Sequence, residues 1–120
     1  MTGPRVEIKR AYVAPDRRDG CRVLVDRVWP RGVSKADLKV DLWTRDAAPS
    51  VELRKWFGHD PERWDGFRER YFAELDANPQ ALAVIREKLR QGTVTLVYGA
   101  RDERHNQAAA LREYLQRGGG

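Results

Sequence analysis

The stretch Cys21-Arg22-Val23-Leu24-Val25-Asp26-Arg27-Val28-Trp29-Pro30-Arg31-Gly32 decides how the rest of the chain is read. Val23 to Val25 is a short apolar run, the pattern of a strand covered on both faces. At Asp26 the character changes to Asp26, Arg27, Trp29 and Arg31, and Pro30 and Gly32 stop regular structure. In an open α/β sheet, ligands bind just beyond the carboxyl ends of the strands. A buried strand running out into an acid, two guanidiniums and an indole therefore marks a candidate site. The same residues also fit a buried Asp26–Arg27 pair under a Trp29 lid, and the stretch alone leaves both readings open.

A second strand of the same kind stands near the other end, at 93–98: Thr93-Val94-Thr95-Leu96-Val97-Tyr98. It follows a helical pattern, and helix-to-strand order makes it a parallel neighbour of the strand at 21–28. A third strand is expected at 6–13, with rough alternation broken at Arg10. The polar connection 14–20, with Pro15 and Gly20, suits either a hairpin or a crossover, so the direction of this strand stays open.

Helix signals fill the interval. Ser34 with Asp37 three residues on forms a capping pattern, and Ser50 caps a short helix with Leu53, Trp56 and Phe57 inward and Gly58 at its end. Asp60-Pro61 and Asn78-Pro79 read as two further helix starts. Trp64, Phe67, Tyr71 and Leu75 form one buried stripe, and Leu82, Ile85 and Leu89 the next. Asp102 is expected to cap a last helix with Ala108, Leu111 and Leu115 inward. The expected fold is α/β: a single compact domain over 1–120, with a small, mostly parallel sheet flanked by helices and a disordered tail at 118–120.

Composition sets the bounds. At 120 residues the chain is one domain, long enough to bury roughly two-thirds of its unfolded surface. No apolar stretch approaches the ~20 residues of a membrane span, and no signal segment opens the chain, which points to a cytoplasmic protein without membrane association. The single cysteine, Cys21, excludes an internal disulfide framework and a multi-cysteine metal site. A net charge of +5, from 23 bases of which 18 are Arg, favours anionic partners, although 18 acids are interspersed.

Two strand ends then converge on one edge of the sheet. The first supplies Asp26, Arg27, Trp29 and Arg31. The second supplies Tyr98, Gly99, Arg101 and Asp102, with His105 and Asn106 expected one turn into the last helix. Asp26, Asp102 and His105 are the candidate catalytic groups, as acids, bases or proton carriers. Arg27, Trp29, Arg31, Trp43, Arg54 and Asn106 are the candidate ligand-binding groups, with Arg27 and Arg31 gripping an anion. His59-Asp60 reads chiefly as a loop residue beside a cap. Cys21 begins a strand, away from any feature that would activate it. The phosphate-cradling glycine motifs are absent and the two histidines lack metal-ligand spacing, so neither cofactor nor metal is expected. The leading expectation is a small anionic-ligand site. The rival is a nucleic-acid-binding module using Arg and exposed Trp; of the four tryptophans, Trp56 and Trp64 read as buried helix-face residues, and Trp29 and Trp43, near loops, are the better candidates.

The run Arg22–Gly32 resembles the YeaO-like proteins, small bacterial and archaeal proteins grouped under a domain of unknown function. Asp41-Leu42-Trp43 through Asp60-Pro61 resembles that family's second motif, and Val94 through Tyr98, Asp102, His105 and Asn106 its third. The resemblance spans nearly the whole chain. It implies a compact single α/β domain in a bacterial cytosol and carries no catalytic assignment. Valine at positions 28 and 33 replaces the family's usual leucine, and Gly99-Ala100-Arg101 departs from its commoner Ala-Ala-Lys.

Overall fold

The computed structural model describes residues 5–117, so the expected tail at 118–120 and the opening residues lie outside the described part. In chain order the elements are β1 (Val6–Arg10), β2 (Cys21–Leu24), α1 (Lys35–Leu38), β3 (Leu42–Trp43), α2 (Val51–Phe57), α3 (Trp64–Asp76), α4 (Gln80–Gln91), β4 (Val94–Tyr98) and α5 (Gln107–Arg117). Single 3-10 turns at Arg17–Asp19, Arg45–Ala47 and Pro61–Arg63 fill the connections.

All neighbouring strands are parallel and the order across the sheet is β1-β4-β2-β3. The expected pairing of β2 with β4 is present, with Val23 opposite Leu96 and Leu24 opposite Val97. β1 pairs with β4, Val6 opposite Val94, which settles its direction: the 14–20 connection is a crossover and not a hairpin. Strand β4 is interior and buried at every position, Thr95 included, whose hydroxyl donates to the Asp19 carbonyl at 2.7 Å.

The two-residue period of a strand divides the core. Val23, Val25, Val94, Leu96 and Tyr98 face the larger side, where α2 to α5 supply Leu53, Phe57, Phe67, Tyr71, Leu82, Ile85 and Leu111. Leu24 and Val97 face the smaller side, covered by Leu38 of α1 and by Trp29, Val33, Val40 and Trp43. On that side Arg22 is buried. Its guanidinium donates to Asp19 at 2.7 Å and twice to the Leu38 carbonyl, while Lys9 reaches the other oxygen of Asp19. Among the described residues no buried side-chain polar atom lacks a partner, and no helix is long and apolar enough to cross a membrane.

Several boundaries differ from the sequence expectation. β1 ends at Arg10, short of 13, and β2 at Leu24, short of 28. A strand continues only while its backbone finds ladder partners, and beyond Val25, whose N–H still reaches the Val97 carbonyl, the Asp26 carboxylate takes the N–H of Gly99, the residue after β4, instead. The Ser34, Ser50 and Asp60 caps are formed, and Gly58 takes the left-handed conformation that ends α2. Asn78 does not cap: α4 begins at Gln80 behind Pro79 with no side-chain cap bond.

Candidate functional site

Because β2 and β4 run parallel side by side, their carboxyl ends open at one edge of the sheet. Asp26, two residues past β2, accepts from the Gly99 N–H at 2.8 Å and from the side-chain amide of Gln107 at the start of α5. The Asp26–Arg27 pair, one of the two readings the sequence leaves open, is not formed. Arg27 instead donates from Nε and Nη2 to the Ala48 and Pro49 carbonyls at 3.2–3.3 Å, tying this loop to the turn before α2. Burial pushes the Asp26 carboxyl up to about 6, against the opposing pull of the Gly99 N–H, the Arg54 charge and the Gln107 amide.

Two adjoining cavities meet here. One, of about 260 Å³, has Asp26, Arg27, Trp29, Arg31, Gly99 and Tyr12 in its wall. The other, of about 270 Å³, is walled by Val51, Phe57, Phe67, His105, Asn106 and Lys55. Pro49, Arg54, His59, Ala100 and Gln107 border both, so the two form one cleft over the sheet edge. Of the expected residues, Asp26, Arg27, Trp29, Arg31, Arg54, His105 and Asn106 line it. Neither Arg31 nor Arg54 forms an ion pair among the described residues, and both are exposed.

Trp29 is a fixed wall. Its indole N–H donates to the Val33 carbonyl at 2.6 Å and its ring stands edge-on to Trp43 at 5.4 Å. Trp43, expected to touch ligand, borders neither cavity. It lies behind the site, donating to the Asp26 carbonyl at 2.8 Å with the Arg45 guanidinium over its ring, and so braces the loop that carries Asp26.

The last helix starts later than the sequence suggests, which changes three assignments. Asp102 caps a turn, accepting from the Arg104 and His105 N–H groups at 2.9 and 3.0 Å. Asn106 is the cap of α5: its Oδ1 accepts from Ala109 N–H at 2.8 Å and its Nδ2 donates to the Asp102 carbonyl. His105 therefore precedes the helix, its Nδ1 2.9 Å from the other Asp102 oxygen and its ring edge-on to Trp64. Those N–H groups hold the Asp102 carboxyl down at about 2. Asp102 borders neither cavity, whereas His105 does.

Sequence reasoning sets His59 aside as a loop residue and gives Gln107 no role, yet both line the cleft. His59 has φ 58°, directly after Gly58 at φ 53°, a left-handed pair that turns the histidine over both cavities. A left-handed non-glycine costs on the order of 1 kcal/mol or more and is found at binding sites more than elsewhere. The Gly58-His59-Asp60-Pro61 run was the signal, since a helix-ending glycine and a new cap leave one residue to make the turn. Gln107 gave no signal, because a glutamine in the first turn of a helix is chemically ordinary. Among the described residues no group of acids, histidines and cysteine has metal-binding geometry.

The chain is 45% identical over 111 residues to uncharacterised proteins of Mycobacterium tuberculosis and Mycobacterium bovis, an alignment covering 92% of this chain and 93% of theirs. It is 38% identical over 111 residues to the uncharacterised protein YeaO of Escherichia coli, covering 92% and 96% of the two chains. No solved structure matches it significantly. A family model described as the inactive DUF488-N3 subclade matches residues 5–118. Since that match takes in both strand ends and the whole cleft, the chain belongs to the YeaO-like branch of the DUF488 family, in the subclade described as inactive.

Proposed function

We propose that the cleft binds a small anionic molecule and that binding, without bond-making, is its task. The observation that carries this reading is the charge balance of the cleft wall. Three arginines, Arg27, Arg31 and Arg54, border one space, and none of them has an acidic partner among the described residues: Arg27 is held by the Ala48 and Pro49 carbonyls, and Arg31 and Arg54 are left exposed. The carboxyl facing them, Asp26, is held near 6 by burial, so mild acidity removes its charge. Unpaired guanidiniums facing a half-buried hollow suit bidentate capture of a carboxylate or phosphate.

The description of the subclade as inactive supports binding over catalysis. One observation favours a catalytic alternative: His105 borders the cleft with its Nδ1 on a carboxylate, the arrangement that orients a histidine for proton transfer. Asp26, Asp102 and His105 would then be the acid–base set. Nucleic-acid binding is supported less well. Acids interrupt the basic helix faces, as Arg68 with Glu113 and Arg90 with Glu87 illustrate. Each tryptophan ring already has an aromatic or guanidinium neighbour: Trp29 on Trp43, Arg70 over Trp56, and Trp64 on Phe67.

Thermal-shift screening against sulfate, phosphate, sugar phosphates and carboxylates tests the reading. Wild type is expected to gain stability with at least one anion class, and Arg31→Ala and Arg54→Ala to lose that gain. No shift with any class would count against the site. Turnover of a bound ligand by wild type and not by His105→Ala would favour the catalytic alternative.

A further inference from the structure

The two halves of the cleft differ in chemistry, and that difference says what kind of anion fits. At one end lie Asp26, Arg27 and Arg31; at the other Phe57 and Phe67, stacked with centroids 4.4 Å apart, border the cavity with Val51, beside Lys55, His105 and Asn106. Phe57 and Phe67 belong to the main core cluster, so this wall is fixed by packing behind it. Val51 is 46% exposed although it is a large apolar side chain at the rim of a cavity. Arg54 and His59 stand where the two halves join. Phe57 and Phe67 are only 5% and 1% exposed, so the apolar surface open at this end is chiefly that of Val51, and a bare inorganic ion held at the other end would leave it wet. Resting on the anion-binding reading above, we propose that the ligand is amphipathic: an oxyanion head held by Arg31 and Arg54, carrying an apolar body of about the size of one ring that lies against Val51, Phe57 and Phe67.

Burying a ring against such a wall removes apolar surface from water and strengthens binding by roughly tenfold or more over the head alone. Matched pairs isolate that gain: inorganic phosphate against phenyl phosphate, and formate against benzoate, titrated calorimetrically into the full chain. The pairs also separate a phosphate head from a carboxylate head. Val51→Ser trims the apolar wall without adding charge. Val51→Glu places a carboxylate there at the first position of α2, where an acid favours the helix.

The expected result is that in at least one pair the aryl member binds tenfold or more tightly than its bare head. Val51→Ser then removes most of that gain and leaves the affinity of the bare head within about twofold. Equal affinity of aryl and bare members in both pairs, or an aryl gain indifferent to both Val51 variants, would overturn the amphipathic ligand while leaving an anion site standing. Failure of all four probes to bind would overturn the anion site itself, and this inference with it.

Discussion

Replacing Asp26 with asparagine separates a carboxylate the fold needs from one it tolerates. In the folded chain burial raises this group from its ordinary 3.8 to about 6. A raised acid binds its proton more tightly when folded, so its contribution to stability is full below 3.8 and is lost as pH rises through about 6. At about 1.4 kcal/mol per pH unit the gap corresponds to about 3 kcal/mol, and partial exposure of the side chain reduces this to about 1–2 kcal/mol. An asparagine oxygen can still accept the Gly99 N–H, and Gln107 can turn its carbonyl toward the new amide, so both bonds survive. Urea unfolding of wild type and Asp26→Asn should therefore coincide at pH 4, with the variant more stable by about 1–2 kcal/mol at pH 8. A loss of about 3–5 kcal/mol at pH 8 would refute the reasoning, because it is the signature of a buried charge left without its partner.

On the opposite side of the sheet the sign reverses: Arg22→Met strips a donor from Asp19 and two from the Leu38 carbonyl, and should cost about 3–5 kcal/mol in urea unfolding. Tyr71→Phe removes a fully buried hydroxyl that donates to the Ala47 carbonyl, and a loss of about 1–2 kcal/mol is expected in the same assay. Gly20 sits at φ 65°, and a Cβ there would stand 2.2 Å from the Thr93 carbonyl oxygen. Gly20→Ala should cost at least about 2–3 kcal/mol or prevent folding, read by circular dichroism and thermal melting. Sulfate, which stays a dianion throughout, should bind wild type more tightly at pH 5 than at pH 8 as Asp26 takes up its proton. In Asp26→Asn that part of the pH dependence should vanish.

Much of this arrangement was legible because it rests on short-range chemistry. The β-branched, largely apolar runs at Val23–Val25 and Val94–Tyr98, each bounded by turn residues, read as buried strands, and Ser34, Ser50, Gly58 and Asp60 each announce a helix end through one local bond. The position of β1 beside β4, reached by a crossover, was not legible, since a loop of seven residues fits either direction. Asp102 misled for a definite reason. Asp102 and Asn106 are both capping residues four positions apart, and nothing local says that the first caps only a turn while the second caps α5. At the site, the sequence singled out the strand-end residues but not their partners. Asp26 was expected to need a cation and found a backbone N–H and a glutamine amide, one contributed by residue 99 and the other by residue 107. Such long-range pairings exist only once the sheet has formed.

The anion proposed for this protein enters one cleft, bordered by Arg31, Arg54 and His59. Mapping backbone and arginine side-chain NMR shifts during a titration with phosphate tests it most directly. Saturable changes are expected at Gly99, Gln107, His59 and the side chains of Arg31 and Arg54, with little change at Arg63, Arg70 or Arg90. Weak, unsaturable changes spread over the arginines of α3 and α4 would contradict binding in this cleft.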